Sequence, residues 1–258
     1  MHLPAVRTTA RVALEHDRAW VLGDAQGGTI NGKRRPASHR LDARVSIEHG
    51  SGTGRVVVEL PAGTDAAPAG RCMLDPDPAS AADRLALESR LGAWFGEPVR
   101  FEHDAQGGFP DDPDSPGPTV VSVASLAAVA SWFPDLDPRT IDRRFRSNLE
   151  FDECPAFWED GLYGPGAAAV PFTIGGLELH GVNPCKRCVV PSREPVGGEP
   201  MDGFQRQFVE CRRRSLPDWV DRSHFDTYYR LAVNTRPGPG HRPGTWLHVG
   251  DRVQRRPD

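Results

Sequence analysis

The stretch Asn183-Pro184-Cys185-Lys186-Arg187-Cys188-Val189-Val190 concentrates more reactive and charged chemistry than any other part of the chain. Two thiols flank two fixed cations, and a segment rich in proline and glycine follows at 191–198. Lys186 and Lys33 are the only lysines, since the chain otherwise uses arginine. Because neighbouring cations favour the thiolate form of cysteine, the stretch predicts a nucleophile or a soft-metal ligand.

A Cys-x-x-Cys pair has two other interpretations. A structural zinc site needs four ligands, usually from two such pairs, and this chain has one pair, although four remote residues could still converge. A redox dithiol of the thioredoxin type opens a helix after a strand, whereas prolines and glycines follow Cys188. The residues favour a single thiolate that acts as ligand or nucleophile, with Arg146 and Arg18 as cations suited to an anion such as phosphate.

The composition is that of a soluble globular protein with room for its own hydrophobic core. The chain has 258 residues, 38% hydrophobic and 26% charged, with a formal net charge of -4, which gives no indication of a nucleic-acid binder. This length supports one large or two small domains without a disulfide or metal to stabilise them. The 27 glycines and 25 prolines favour short strands joined by irregular loops, hence a β-rich α+β fold.

The lack of a recognisable targeting signal and the pattern of cysteine usage indicate a cytoplasmic protein with no membrane partner. The N-terminus lacks an apolar segment of signal-peptide length, and no later run reaches the ~20 apolar residues of a membrane helix. An odd number of cysteines without an export signal favours reduced thiols or metal ligands. The five are Cys72, Cys154, Cys185, Cys188 and Cys211.

The first half alternates strand signals with one helix. A hairpin is predicted over 15–34 and a second β pair over 45–60, around a Gly-rich turn at 50–54. Helical spacing of apolar residues, after a capping signal at Ser80, predicts a helix over 80–95. The Gly-, Asp- and Pro-rich segment 104–118 predicts a long loop, so we expect domains at 1–103 and 104–258.

The second half predicts strands that lead into the cysteine stretch. A strand at 119–122 and a helix at 124–133 precede an alternating segment, 143–151, which predicts a strand with Arg146 and Asn148 on one face. A β pair over 172–182 then delivers the chain to Asn183. Further elements are predicted as a helix at 201–214 with Cys211 in the core, and strands at 227–233 and 246–253.

Several segments, in order, resemble the MOSC family, the C-terminal domain of molybdenum cofactor sulfurases that also occurs in the mitochondrial amidoxime-reducing component. The segments are Glu15-His16-Asp17-Arg18-Ala19-Trp20, Asn31-Gly32-Lys33-Arg34, Val123-Ala124-Ser125-Leu126-Ala127, Arg144-Phe145-Arg146-Ser147-Asn148, Trp158-Glu159-Asp160, Pro184-Cys185-Lys186-Arg187-Cys188 and Val249-Gly250-Asp251. The resemblance implies a β-barrel-like MOSC domain with a smaller, truncated N-terminal β-barrel domain.

The resemblance also implies a cofactor, the molybdenum–molybdopterin group, and a role for each matching residue. Cys188 would supply the sulfur ligand to the metal and would be the catalytic residue, while Arg18 and Arg146 would contact the pterin. It suggests further cofactor contacts from Asn148, Lys186 and Arg187, and assigns Cys185 no role. Pyridoxal phosphate is associated with the sulfurase branch of the family, but neither lysine has the features of a Schiff-base site.

The implied function is a molybdenum-cofactor oxidoreductase that reduces N-hydroxylated or N-oxygenated small molecules with electrons from a separate electron-transfer protein. The alternative is a carrier that holds the cofactor, or sulfur, without turnover of its own, and a member that binds no cofactor is a third. Two departures from the family bear on this choice. Residues 192–198 replace the usual Thr-x-Asp-Pro-x-Thr-Gly and lose its second hydroxyl, and the first strand with its Lys-Ser pair has no counterpart before Asp17.

Overall fold

The computed structural model describes residues 3–11, 14–47, 54–60, 70–74, 81–104, 106, 108–166 and 168–255. Within them the strands are β1 Ala5–Arg7, β2 Trp20–Asp24, β3 Asp42–Ile47, β4 Gly54–Leu60, β5 Gly70–Leu74, β6 Val99–His103, β7 Val120–Ser122, β8 Leu149–Phe151, β9 Val170–Ile174, β10 Leu177–Lys186, β11 Arg230–Pro237, β12 Trp246–His248 and β13 Val253–Arg255. The α-helices are α1 Ala81–Phe95, α2 Val123–Ser131, α3 Arg139–Phe145 and α4 Phe204–Ser215. The predicted β-rich α+β class is confirmed.

A six-stranded sheet forms the frame of the second half. Its order is β13-β9-β10-β11-β7-β8, and it curves into a nearly closed barrel. Neighbouring strands are antiparallel except for the parallel pair β7 and β8. Val120, Phe172, Leu179 and Val233 have no exposed surface and form part of the core that this sheet encloses. Burial of such side chains is the main stabilising contribution to the barrel.

The ten-residue strand β10 is central in this sheet and ends at the cysteine stretch. It pairs with β9 through the predicted Gly175-Gly176 turn and with β11 on its other side. A side chain at Gly181 would overlap the carbonyl oxygen of Leu162, so glycine lets the 3-10 turn Trp158–Leu162 pack against the strand. The hairpin agrees with the sequence prediction, but β10 continues four residues past the predicted end at 182, so Cys185 lies in the strand and only Cys188 lies beyond it.

The N-terminal half forms smaller sheets around one helix. Strands β3, β4 and β5 form an antiparallel sheet, and β2 pairs with β6. Their core with α1 is a cluster of buried side chains: Ile30, Val58, Leu60, Leu87, Leu91, Val99 and Phe101. The β3–β4 pair and α1 confirm two predictions, whereas the predicted N-terminal barrel is not confirmed. Ser80 and most of the turn at 50–54 lie outside the described residues.

Two predicted strands differ from the structure. Segment 143–151 is not one strand, because α3 continues to Phe145 and Arg146 takes a left-handed conformation with φ 51° and ψ 46°. Ile141 and Phe145, four residues apart, are buried on one face of α3, and this helical period overrides the apparent alternation. The predicted strand 246–253 is divided into β12 and β13 by a turn at Gly250, where φ is 94°.

Two further features complete the fold. Strand β1 pairs with β12, so the start of the chain pairs with its C-terminal part. In α4, Phe204 and Phe208 are buried as predicted, but Cys211 is only half-buried and Arg212 lies in the core instead. Among the described residues, no helix combines the length and apolar character needed to cross a membrane.

Candidate active site

The two cysteines of the Cys-x-x-Cys pair lie in different environments. Cys185 is half-buried near the end of β10, whereas Cys188 is exposed in the loop beyond it. The loop starts with a hydrogen bond from the Arg187 backbone N–H to the Tyr229 carbonyl at 2.9 Å and continues into a 3-10 turn, Val190–Ser192. Cys188 is therefore the thiol that can meet a ligand from outside the barrel.

Arg187 is held by the protein at two of its three nitrogens. Nε donates to the Leu231 carbonyl at 3.0 Å, and Nη1 donates to the Phe145 carbonyl at 3.0 Å. The guanidinium lies over the Phe145 ring, with 5.4 Å between its central carbon and the ring centroid. The buried Nη2 has no partner among the described residues. Arg187 is thus a fixed cation with one buried donor left unpaired.

Arg144 fixes the loop that follows Cys188, a role that sequence reasoning missed. It is buried, and its Nη1 donates to the carbonyls of Pro191 at 3.0 Å and Arg193 at 2.5 Å. Its Nη2 forms an ion pair with Glu194. Segment 192–198 thus keeps an acidic residue, Glu194, at the position of the aspartate in the family motif, and this residue pairs with a buried arginine. The one sequence signal for the role of Arg144 is its position on the buried face of α3, beside Ile141 and Phe145.

Arg18 and Asn148 lie around Asp17. Arg18 has φ 54°, its Nη1 donates to the carbonyls of Pro116 at 2.9 Å and Gly117 at 3.1 Å, and its Nε lies 3.5 Å from Asp17 Oδ2. Asn148 Nδ2 donates to the same oxygen at 3.2 Å. Burial raises the pKa of Asp17, and the charges of Arg18 and Arg146 oppose that shift. Asp17 thus contacts two of the predicted residues, Arg18 and Asn148, and the charge of the third, Arg146, acts on it without a direct contact.

Arg146 and Lys186 differ in whether their charges are paired with a carboxylate of the protein. Arg146 is exposed and makes no ion pair within the described part of the chain, although its charge acts on Asp17 and His39. Lys186 Nζ instead donates to Asp226 Oδ2 at 2.7 Å, and Arg230 binds the other oxygen of Asp226 at 2.8 Å. These hydrogen bonds lower the pKa of Asp226. Arg146 is therefore the more available cation.

A segment of the N-terminal half borders the same loop. Gly198, with φ 83°, packs so closely on the 3-10 turn Pro36–Arg40 that a side chain there would contact the Pro36 carbonyl and His39. Burial lowers the pKa of His39, and the charges of Arg193 and Arg146 lower it further. No local sequence pattern identifies His39 or Arg193, because only the tertiary fold brings 36–40 to residue 198.

Buried polar atoms without a hydrogen-bond partner indicate which kind of ligand these residues could hold. The buried side-chain atoms without a hydrogen-bond partner among the described residues include six from these segments: His39 Nε2, Arg144 Nε, Ser147 Oγ, Arg187 Nη2, Arg193 Nε and Tyr229 Oη. We call these six residues together with Cys188 and Arg146 the cysteine site. Its guanidinium nitrogens can only donate, and a buried donor without an acceptor is destabilising. An acceptor from outside the protein would satisfy any of these donors that it could reach.

A second polar group, the inner cluster, consists of Ser125, Glu159, Asp160, Tyr163 and Arg212. Arg212 Nη2 donates to Asp160 Oδ2 at 2.5 Å, and Tyr163 donates to Asp160 Oδ1 at 3.3 Å. Ser125 Oγ donates to Glu159 Oε2 at 2.9 Å. Burial, followed by the charge of Asp160, raises the pKa of Glu159 to about 7. This cluster joins the Trp158–Leu162 turn to α2 and α4, and most of its side chains are buried.

The fold and the cysteine site define a class of protein: a β-barrel domain that presents one exposed cysteine among arginines at the end of a strand. Comparison with family models matches residues 118–254, more than half of the chain, to the MOSC domain. This chain belongs to the MOSC domain family, which is associated with the molybdenum cofactor. A search of curated proteins finds no match. Among the described residues, no three His, Cys, Asp or Glu side chains are arranged to hold a metal ion between them.

Proposed function

We propose that this protein is a molybdenum-cofactor oxidoreductase that reduces N-hydroxylated or related N-oxygenated small molecules. The observation that carries the proposal is an exposed Cys188 bordered by buried donors that lack acceptors. A pterin cofactor has a phosphate and dithiolene sulfurs, which are anionic acceptors. One protein thiolate is also a suitable additional ligand for a soft metal. The family match supports the cofactor, and the cysteine site supports its placement.

Each residue of the site has a distinct part in this proposal. Cys188 would supply the protein's sulfur ligand, and Arg187 would hold an anionic group through Nη2 while its other nitrogens stay fixed on carbonyls. Arg146 and Arg18 would balance the charge of the phosphate. Asn148 would act mainly through Asp17, since its Oδ1 accepts hydrogen bonds from Thr119. Lys186 would contribute at longer range from its pair with Asp226.

When bound, the cofactor supplies two-electron redox chemistry, and the protein supplies its placement and electrostatic environment. Reduction of an N–OH group to N–H consumes two electrons and two protons and releases water. The chain contains no sequence motif for flavin, haem or an iron–sulfur cluster, so we propose that a separate electron-transfer protein provides the electrons. The open position of Cys188 suits access for both partners.

The test measures reduction of an amidoxime with a chemically reduced viologen as electron donor. Cys188→Ala should lose at least about 100-fold in turnover because the metal loses its protein ligand. Cys185→Ala is the matched control, since it removes a thiol three residues away, and it should retain most activity. Undiminished turnover by Cys188→Ala would contradict the assignment.

The exposure of Cys188 also favours one alternative, a carrier that hands the cofactor or a cysteine-bound sulfur to another enzyme. This function requires a reachable thiol but no substrate turnover. It predicts rapid activation of a cofactor-free molybdenum enzyme by the purified protein, together with no amidoxime reduction when electrons are supplied. Turnover without such transfer excludes the carrier.

A further inference from the structure

The chain on both sides of Cys188 is held on the end of one helix, α3. Before the cysteine, Arg187 Nη1 donates to the carbonyl of Phe145, the last residue of α3, at 3.0 Å. After the cysteine, the Pro191 carbonyl accepts a hydrogen bond at 3.0 Å from Nη1 of Arg144, the neighbouring residue on α3. The cysteine and the two residues after it therefore lie between two anchors on the same helix.

Arg144 is suited to this role by its burial and by the shape of its side chain. The side chain has 0% exposure, and the guanidinium lies over the Phe204 ring, with 5.3 Å between its central carbon and the ring centroid. Nη1 bonds a second carbonyl, that of Arg193, at 2.5 Å, and Nη2 pairs with Glu194. A planar guanidinium binds several acceptors in fixed directions, which the compact ammonium group of a lysine does not do.

The segment between the two anchors is ordered by its own hydrogen bonds. The backbone N–H of Ser192 donates to the Val189 carbonyl at 3.0 Å, and that of Arg193 donates to the Val190 carbonyl at 3.0 Å. Ser192 Oγ also donates to the Val189 carbonyl, at 2.6 Å. Because Val189 follows Cys188 directly, a shift of this turn also shifts the thiol.

The same helix end carries Arg146, the exposed cation of the cysteine site. Its backbone N–H donates to the Asp142 carbonyl at 2.7 Å, so the last turn of α3 fixes its backbone. Cys188 and Arg146 are thus attached to one support, the thiol through the loop and the cation through the helix itself.

We propose that Arg144 is a positioning residue that fixes Cys188 relative to Arg146, and that Glu194 in turn holds Arg144 in place. Arg144 acts through the loop and not by contact with the cofactor. The inference rests on the proposed function, in which Cys188 and Arg146 hold two parts of one cofactor, its metal and its phosphate. Without Arg144, both groups remain but their separation varies.

Hydrogen exchange of the cofactor-free protein tests whether Arg144 holds the loop. Arg144→Lys keeps the buried charge but loses the bonds to several acceptors, so the backbone N–H groups of 192 and 193 should exchange about tenfold faster than in wild type. Glu194→Ala changes a side chain with 45% exposure and should have a smaller effect in the same direction. Glu194→Gln keeps an acceptor and should restore most of the protection.

Arg143→Lys is the matched control, because Arg143 is the exposed neighbour on α3. Its exchange rates should equal those of wild type. The β9–β10 hairpin should exchange at the wild-type rate in every variant, since a positioning role affects the loop and not the whole barrel.

Release of molybdenum after desalting, from protein made in a host with the cofactor, tests the consequence for the site. Arg144→Lys should release it about tenfold faster than wild type, Glu194→Ala less so, and Glu194→Gln at a rate closer to wild type.

Three results overturn the inference while the proposed function stands. They are wild-type exchange at 192 and 193 in both Arg144→Lys and Glu194→Ala, an equal rise of exchange in the β9–β10 hairpin, and a loosened loop that releases molybdenum at the wild-type rate. Wild type that never holds molybdenum overturns the proposed function instead, and exchange at 192 and 193 then still decides whether Arg144 holds Cys188 in place.

Discussion

The cysteine site and the inner cluster both contain a buried arginine paired with a carboxylate, Arg144 with Glu194 and Arg212 with Asp160, but they differ in the polar atoms that remain unpaired. In the inner cluster, Arg212 and Asp160 pair with each other at 1% and 3% side-chain exposure. Its two unpaired atoms are one acceptor, Glu159 Oε1, and one donor, Arg212 Nη1. The unpaired atoms of the cysteine site include three guanidinium nitrogens, which only donate. We expect the inner cluster to act mainly on stability and the cysteine site to act mainly on the binding of the proposed cofactor.

The largest expected effect comes from breaking the pair in the inner cluster. Asp160→Asn keeps the shape but leaves the charge of Arg212 buried without its counter-ion, which should lower the free energy of unfolding by about 3–5 kcal/mol. Chemical denaturation with urea measures this change. Asp226→Asn is the control, because Asp226 also binds two cations but at the surface, and its effect should be far smaller. Equal losses in the two variants would contradict the distinction between buried and exposed pairs.

The next effect is a dependence of stability on pH. The pKa of Glu159 is raised from 4.5 to about 7 in the folded protein, so the native state binds the proton more tightly than the unfolded state does. This stabilising contribution is fully present below about pH 4.5 and is lost as pH rises through about 7. Glu159→Gln mimics the protonated form and should be more stable than wild type at pH 8, by at most about 3 kcal/mol.

Unfolding measured between pH 5 and 8 tests this prediction. The wild-type free energy of unfolding should fall over that range with a contribution that Glu159→Gln lacks. Glu153→Gln, at an exposed position on the neighbouring loop, should keep the wild-type slope. The same slope in Glu159→Gln and wild type would show that the buried carboxyl does not titrate as stated.

The smallest effect on stability is expected at the cysteine site, where the effect on ligand retention is large. Arg146→Gln removes an exposed cation without an ion pair in the described structure, so the melting temperature should stay close to that of wild type. Molybdenum retention should fall about tenfold, because a charge-assisted contact to phosphate is lost. Arg143→Gln, an exposed arginine on α3, should affect neither property. Loss of stability without loss of molybdenum would reverse the roles assigned to the two clusters.

The sequence predicted the parts of the fold that local pattern determines. The β9–β10 hairpin followed from its Gly175-Gly176 turn and α1 from helical spacing, because both signals lie within a few residues of one another. The family segments also singled out Cys188 and the Arg146–Asn148 group as site candidates by local motif, and their roles stay predictions. Which thiol is exposed was not predictable from spacing alone, since it depends on where β10 ends.

The features of the fold and of the site that the sequence did not predict depend on contacts between distant parts of the chain. Arg144 meets the Pro191 carbonyl 47 residues away, and Phe145 ends a helix where alternation predicted a strand. His39 reaches the cysteine site only because Gly198 allows close packing on its turn. No local pattern specifies such contacts, and a single arginine in sequence gives no sign whether it is exposed, paired in the core, or aimed at a ligand.

The most direct test of the central claim is the molybdenum-to-protein ratio of freshly purified protein from a host that makes the cofactor. Elemental analysis should find close to one molybdenum per chain in wild type and in Cys185→Ala, and little in Cys188→Ala. A wild type without molybdenum, or a Cys188→Ala variant that carries as much of it as Cys185→Ala does, would contradict the account.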